Sequence, residues 1–164
     1  MVTRRNLIAG AGMGALIAAL GPFPRRAFAT TLPPGKFAVT HTDAEWHQLL
    51  TPEQYQILRD GGTELPYSSP LLHETHNGVF QCAGCALPVF YSKWKYDSNT
   101  GWPSFWSVID GAVIKYEDDT ENMVRTALSC SRCGSHLGHL FDDGPPPTGL
   151  RHCMDGLALK FVPA

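Results

Sequence analysis

Cys82-Ala83-Gly84-Cys85 and Cys130-Ser131-Arg132-Cys133-Gly134 are two Cys-x-x-Cys turns, separated by 44 residues. Each is followed by a small residue, Ala86 or Gly134, that suits a tight backbone knuckle. One such turn brings two sulfurs to one side of a loop, and two facing turns make a four-thiolate tetrahedron, the geometry zinc prefers. Sulfur then fills every coordination position and leaves none for a catalytic water. The expected ion is therefore structural, one Zn2+ per chain held by Cys82, Cys85, Cys130 and Cys133. The gap exceeds the roughly 15–20 residues of a zinc ribbon, so strands must occupy it and the metal would tie distant parts of a β core together. Two other readings exist: each pair closing as a disulfide outside the cytoplasm, or one pair acting as a thioredoxin-like redox couple. The absence of an alternating βαβ pattern weighs against the redox couple.

Outward from the cysteines, short β-favouring runs are broken by turn residues: Val79–Gln81, Val89–Tyr91, Phe105–Ile109, Val113–Tyr116, Val124–Leu128 and Leu157–Val162. Asn77-Gly78 and Asp110-Gly111 have the composition of hairpin turns. Upstream, Thr42-Asp43-Ala44-Glu45 and Thr51-Pro52-Glu53-Gln54 each place a capping threonine three residues before a glutamate or glutamine. They open two short helices, with Trp46, Leu49 and Leu50, then Tyr55, Ile57 and Leu58, facing inward. Residues 30–41 lack an amphipathic period and read as an extended arm. The predicted fold is mainly β, a small helical lead-in followed by an antiparallel core over residues 42–164.

Residues 1–29 have a different composition. Arg4-Arg5 precedes an apolar run from Leu7 to Leu20, and Ala27-Phe28-Ala29 has the small-x-small form of a signal-peptidase site. The run is shorter than the roughly 20 residues that span hydrocarbon, which favours a cleaved twin-arginine signal over a membrane anchor. That route generally exports folded proteins, so metal could be loaded before the chain reaches the periplasm or is secreted. The segment carries four arginines and no acid, leaving 9 basic against 15 acidic residues, net −6, in the remainder. Nucleic acid is thereby excluded as a partner, because phosphate binding needs clustered positive charge.

Five cysteines cannot all pair within one chain. The odd one, Cys153, follows Thr148-Gly149-Leu150-Arg151-His152, and Arg151 would project from the same face of an extended segment, where a cation favours the thiolate. A lone cysteine beside a strand is more often a buried small hydrophobe; the neighbours shift the balance toward a working thiol. His136 and His139 follow the second knuckle directly. With four sulfurs completing a zinc shell, they suit a general-acid or orienting role, the alternative being satisfied structural histidines. Gly101-Trp102-Pro103 presents an indole on a stiff turn, as a small apolar ligand would need.

The ordered segments Leu-Thr-Pro-Glu-Gln-Tyr (50–55), Cys-Ala-Gly-Cys (82–85), Gly-Trp-Pro-Ser-Phe (101–105), Cys-Gly-Ser-His-Leu-Gly-His-Leu-Phe-Asp-Asp-Gly-Pro (133–145) and Thr-Gly-Leu-Arg-His-Cys (148–153) resemble the B-type peptide-methionine (R)-S-oxide reductases, from about Trp46 to Phe161. The resemblance implies two twisted antiparallel sheets and a structural zinc distant from the active site. It implies Cys153 as nucleophile, Trp102 receiving the S-methyl group, and His136, His139 and Arg151 lining the pocket, with Phe141 and Asp155 contributing to substrate binding. Methionine-R-sulfoxide in oxidised proteins would be the substrate of a monomeric enzyme. Two departures stand out. Thr100 occupies the position where many members carry a second cysteine, so an external thiol reductant such as a thioredoxin-like protein is expected. Asp155 replaces the usual asparagine two residues after the nucleophile, and its carboxylate would oppose the thiolate, with a protonated His152 as an offset. The competing functions are a zinc-ribbon-like peptide- or protein-binding module and an inactive relative.

Overall fold

The computed structural model describes residues 35–120 and 123–164; the expected signal at 1–29 and the beginning of the arm lie outside the described residues. Both capping boxes form. The Thr42 and Thr51 hydroxyls accept from the Glu45 and Gln54 amides, whose side chains accept from the threonine amides in return. They open α1 (Asp43–Leu49) and α2 (Pro52–Leu58). Trp46 and Leu50, one helical turn apart, are buried with Ile57 and Leu58, whereas Leu49 is 59% exposed, contrary to the expected inward face. In so short a helix only the Trp46–Leu50 line meets the core.

All strand pairings are antiparallel, and the strands form two sheets. The smaller has the order β2 (Pro88–Tyr91), β1 (Gly78–Cys82), β9 (Leu159–Pro163). The larger runs β3 (Lys95–Tyr96), β4 (Ser104–Phe105), β8 (Arg151–Met154), β7 (His136–Phe141), β6 (Arg125–Cys130), β5 (Val113–Asp118). Phe105 joins the two: its ring stacks on Phe90 at 4.2 Å and meets Phe80 edge-on at 4.9 Å. All three rings are fully buried, each contributing on the order of 2–3 kcal/mol by removal from water.

Several boundaries differ from the sequence reading. Phe105–Ile109 contracts to Ser104–Phe105, because the Trp106 and Ile109 amides donate to Trp94 and Val89 carbonyls instead of a ladder. The last run starts as a 3₁₀ turn, Gly156–Ala158, before β9. Gly78 is already paired with Pro163 and so belongs to a strand, not a hairpin loop. Asp110-Gly111 does turn the chain, but between β4 and β5, which are not neighbours.

The least expected strands, β7 and β8, position the site. Ala127 and Leu128 pair with His139 and Gly138, but Ser129 pairs with His136, so β7 carries one extra residue, Leu137. This bulge overrides the strict alternation of a strand. It brings His136 and His139, three apart in sequence, to within 5.2 Å between ring centroids. Gly138, at φ 146, makes it possible: a Cβ there would lie 2.2 Å from the Cys153 carbonyl oxygen on β8. Gly138→Ala is therefore expected to destabilise the fold by about 2–4 kcal/mol, measured by urea unfolding. Wild-type stability in that variant would show that β8 does not need the close approach.

Candidate active site

Three neighbouring strands place Ser104, Cys153 and His139 in one row, since Ser104 pairs with Cys153 and Cys153 with His139. Over this row lies a cleft of about 200 Å³ lined by Trp102, Arg125, His139, Phe141, Cys153 and Asp155, with Thr63 at one wall. Segment 63–64 stitches the walls together. The Trp102 indole N–H donates to the Glu64 carbonyl at 3.2 Å, and the Glu64 amide donates to Asp155 Oδ1 at 3.0 Å. The Glu64 carboxylate turns inward and accepts from the Gly156 and Leu157 amides.

His139 is held by an acid far away in sequence. Its Nε2 lies 2.7 Å from Asp118 Oδ2, which also accepts from Arg125 at 2.9 Å. Burial would raise the Asp118 pKa, but hydrogen bonds from Thr120 and His139 and the Arg125 charge hold it well below the usual carboxylate range. The ionised carboxylate requires the His139 proton on Nε2, while burial keeps the imidazole below its ordinary pKa against the pull of Asp118. His136 sits behind this pair, not on the cleft wall. It is fully buried, its Nδ1 is 2.9 Å from the Tyr116 hydroxyl, and burial followed by the His139 charge lowers its pKa to about 3. Its Nε2 is 3.9 Å from Asp155 Oδ2 and has no hydrogen-bond partner among the described residues.

Burial pushes the Cys153 thiol up, Arg151 and the Thr100 and Ser104 hydroxyls pull it down, and Asp155 adds to the rise. Arg151 does share the face of Cys153, yet it is bound bidentately by Asp143 at 2.8 Å and lies over the Phe141 ring at 4.3 Å. It acts on the thiol through its field. Thr100 joins Ser98 and Ser104 in a hydroxyl chain with 2.8 and 2.7 Å links. Asp155 is buried, and desolvation pushes its pKa up to about 7, with the Glu64 charge adding and the Glu64 amide opposing. His152 cannot offset it: it faces the opposite side, bonded to the Phe105 carbonyl at 3.1 Å, and burial lowers its pKa.

The other four cysteines form a separate cluster with all sulfurs within 4.8 Å of one another. Cys82 and Cys133 sulfurs are 3.7 Å apart, and Cys85 and Cys130 sulfurs 3.5 Å. Tetrahedral metal–sulfur bonds of about 2.3 Å require sulfur separations of about 3.8 Å, whereas a disulfide needs about 2.05 Å. The spacing fits a metal ion, and none of the five cysteines is disulfide-bonded. In both knuckles the residue after the second cysteine is left-handed, Ala86 at φ 57 and Gly134 at φ 71, and donates its amide to the first cysteine's carbonyl at 2.8 Å. Phe37 of the arm lies on Gly134, where any Cβ would strike its ring.

Residues 50–163 match the SelR domain family. The chain belongs to the MsrB family. Its relatives named peptide methionine sulfoxide reductase MsrB include one from Agrobacterium fabrum, 49% identical over 76% of this chain and 93% of the relative. Another, from Thiobacillus denitrificans, is 51% identical over 74% and 93%. A third, from Methanosarcina barkeri, is 48% identical over 76% and 88%. The family assignment makes the cleft around Cys153 the candidate site of sulfoxide chemistry.

Sequence reasoning missed Tyr116, Asp118 and Glu64, whose partners His136, His139 and Asp155 lie 20 or more residues away, and Arg125, which lines the cleft and pairs with Asp118. Burial of Asp155 makes the stability of this MsrB member depend on pH. The folded pKa of this aspartate lies above the unfolded value, so its contribution to stability is fully present below about pH 4 and is lost as pH rises through 7. Asp155→Asn should therefore gain about 2–4 kcal/mol over the parent between about pH 4 and pH 8 in urea unfolding. The same change should lower the Cys153 pKa, read from the pH dependence of alkylation. A parallel stability profile and an unmoved thiol titration would contradict this.

Proposed function

We propose that the chain reduces the R epimer of methionine sulfoxide in exported, oxidised proteins to methionine, with Cys153 as the nucleophile. The observation that carries this reading is the placement of Cys153 in one cleft with the Trp102 indole and directly opposite His139. A sulfoxide oxygen leaves sulfur only when protonated. The Cys153 thiolate attacks the sulfoxide sulfur, an ionisable group of the pocket supplies a proton to the oxygen, and the oxygen is transferred to Cys153 as a sulfenic acid. Cys153 loses two electrons and the substrate sulfur gains them, so methionine departs. The S-methyl group against Trp102 and the oxygen toward His139 and Asp155 select the epimer, Phe141 closes the cleft, and Arg151 supports the thiolate. His136, behind His139, is an orienting residue.

A first external thiol condenses with the sulfenic acid, releasing water, and a second releases Cys153. This assignment rests on Thr100, which stands where many members of the family carry a second cysteine and whose hydroxyl helps to lower the Cys153 pKa. A thioredoxin-like donor suits this chemistry. Cys82, Cys85, Cys130 and Cys133 would hold one Zn2+, which clamps the knuckles and leaves no open coordination position for catalysis. The enzyme acts as a monomer, and residues 1–29 support export by the twin-arginine route to the periplasm or beyond.

With racemic N-acetyl-methionine sulfoxide and dithiothreitol, chiral chromatography should show loss of the R half alone. Cys153→Ser should reduce the rate at least about 10³-fold. Consumption of both epimers, or full activity in the serine variant, would overturn the assignment.

A further inference from the structure

The row of residues that carries Cys153 continues past Ser104. Tyr96 on β3 pairs with Ser104, Ser104 with Cys153, and Cys153 with His139. Residues paired across neighbouring strands project from the same face of a sheet, so the thiol has His139 on one flank and, beyond Ser104, Tyr96 on the other. Each flank has its own cavity. The cleft already described reaches toward His139 and Arg125. A second cavity of about 330 Å³ lies on the other flank, lined chiefly by Tyr96, Asp97, Ser98, Thr100, Asp143 and Arg151, and it shares no lining residue with the cleft. The Tyr96 hydroxyl is shut off from solvent and has no hydrogen-bond partner among the described residues. Burial raises the phenol's pKa, Arg151 opposes, and the Asp143 and Cys153 charges add to the rise, so the hydroxyl keeps its proton. Thr100 connects cavity and thiol: it lines the cavity, and its hydroxyl helps to lower the Cys153 pKa.

We propose that this second cavity binds a low-molecular-weight thiol carrying a protonated amine, which attacks the Cys153 sulfenic acid from the flank opposite the sulfoxide cleft. The inference rests on Cys153 being the nucleophile of the proposed sulfoxide reduction. The sulfoxide approaches from the His139 side, so the oxygen left on Cys153 lies on that side. Displacement at a divalent sulfur needs the nucleophile in line behind the leaving group, and that line runs toward Ser104, Thr100 and Tyr96. The thiol sulfur bonds to Cys153 as the sulfur–oxygen bond breaks, and the hydroxyl leaves as water with the thiol's proton. A second molecule of the thiol attacks the mixed disulfide, is oxidised with the first to a small disulfide, and returns Cys153 reduced. The free Tyr96 hydroxyl is a donor for the incoming sulfur. The volume lies at the small end of the roughly 300–1,000 Å³ of ligand pockets, as a small thiol requires. Charge selects the amine. Arg151 and Asp143 are joined bidentately at 2.8 Å and neutralise each other. Asp97, whose carboxylate accepts from the Asn99 amide at 2.9 Å, is left as the unbalanced charge of the lining. Lys95 is within the field of Asp97, but its ammonium donates to the Leu72 carbonyl at 2.8 Å and does not line the cavity.

The test separates the two half-reactions by rapid quench. The enzyme is taken through one turnover with methionine R-sulfoxide without reductant, and the burst of methionine is measured. It is then mixed with cysteamine, 2-mercaptoethanol or 2-mercaptoethanesulfonate, thiols of the same chain length that carry a positive, no and a negative charge. Loss of dimedone-trappable sulfenic acid gives the rate for each, compared at equal thiolate concentration. Cysteamine should react about tenfold faster than the sulfonate, with mercaptoethanol between them. Asp97→Asn should remove most of that difference and Asp97→Lys should invert it; Asp97 is exposed, and circular dichroism checks that both variants fold. Tyr96→Phe should slow the reaction with every thiol about threefold while keeping the order. Equal rates for the three thiols in the parent, or an order that both Asp97 variants retain, overturn the site. A sulfenic acid that resists all three and yields only to a thioredoxin-like protein also overturns it, with the methionine burst intact. Absence of the burst overturns the underlying functional reading as well.

Discussion

The proximity of four sulfurs constrains most of what surrounds them. Cys82 ends β1 in the small sheet and Cys130 ends β6 in the large one, so an ion held between them would fasten two layers otherwise joined through rings such as Phe105. The second knuckle is also the turn from β6 into β7, which fixes where the bulged strand begins. From that start, Gly138 passes under Cys153, and His139 arrives opposite the thiol. The cluster thus has two consequences at a distance: its second knuckle fixes where β7 begins, and a metal held there would remove four cysteines from redox chemistry, leaving Cys153 alone in the cleft.

Beside the cleft and behind it, two aspartates of the same intrinsic acidity, Asp155 and Asp118, have opposite states because of their surroundings. Asp118 is supplied with hydroxyl, imidazole and guanidinium partners and remains ionised. Asp155 has one amide donor, a neighbouring carboxylate and little solvent, and its pKa rises to about 7. Environments that separate the pKa values of chemically identical groups are a means of assigning them different work. Asp118 orients His139, while Asp155 makes the charge facing Cys153 dependent on pH near neutrality.

Legibility in the sequence followed the range of the interaction. The knuckles, capping boxes, Trp102 turn and odd cysteine are local patterns, and the cysteine cluster and helices formed as expected. β7 and β8 were not legible because both are buried on their two faces and β7 carries a bulge and a glycine, which erase the alternation that marks a strand. The expected offset of Asp155 by His152 fails because adjacent residues of a strand such as Arg151–Met154 face opposite ways. Asp118 and Glu64 carry no signature, since an acid becomes a positioning group only when folding brings a distant partner to it.

The most direct test of the account is intact-protein and peptide mass spectrometry after one turnover with methionine R-sulfoxide in the absence of reductant. The account predicts a dimedone-trappable sulfenic acid on Cys153 alone, one equivalent of methionine, and native masses retaining one zinc on the remaining four cysteines. A disulfide between Cys153 and Cys82, Cys85, Cys130 or Cys133, with loss of the metal, would contradict it.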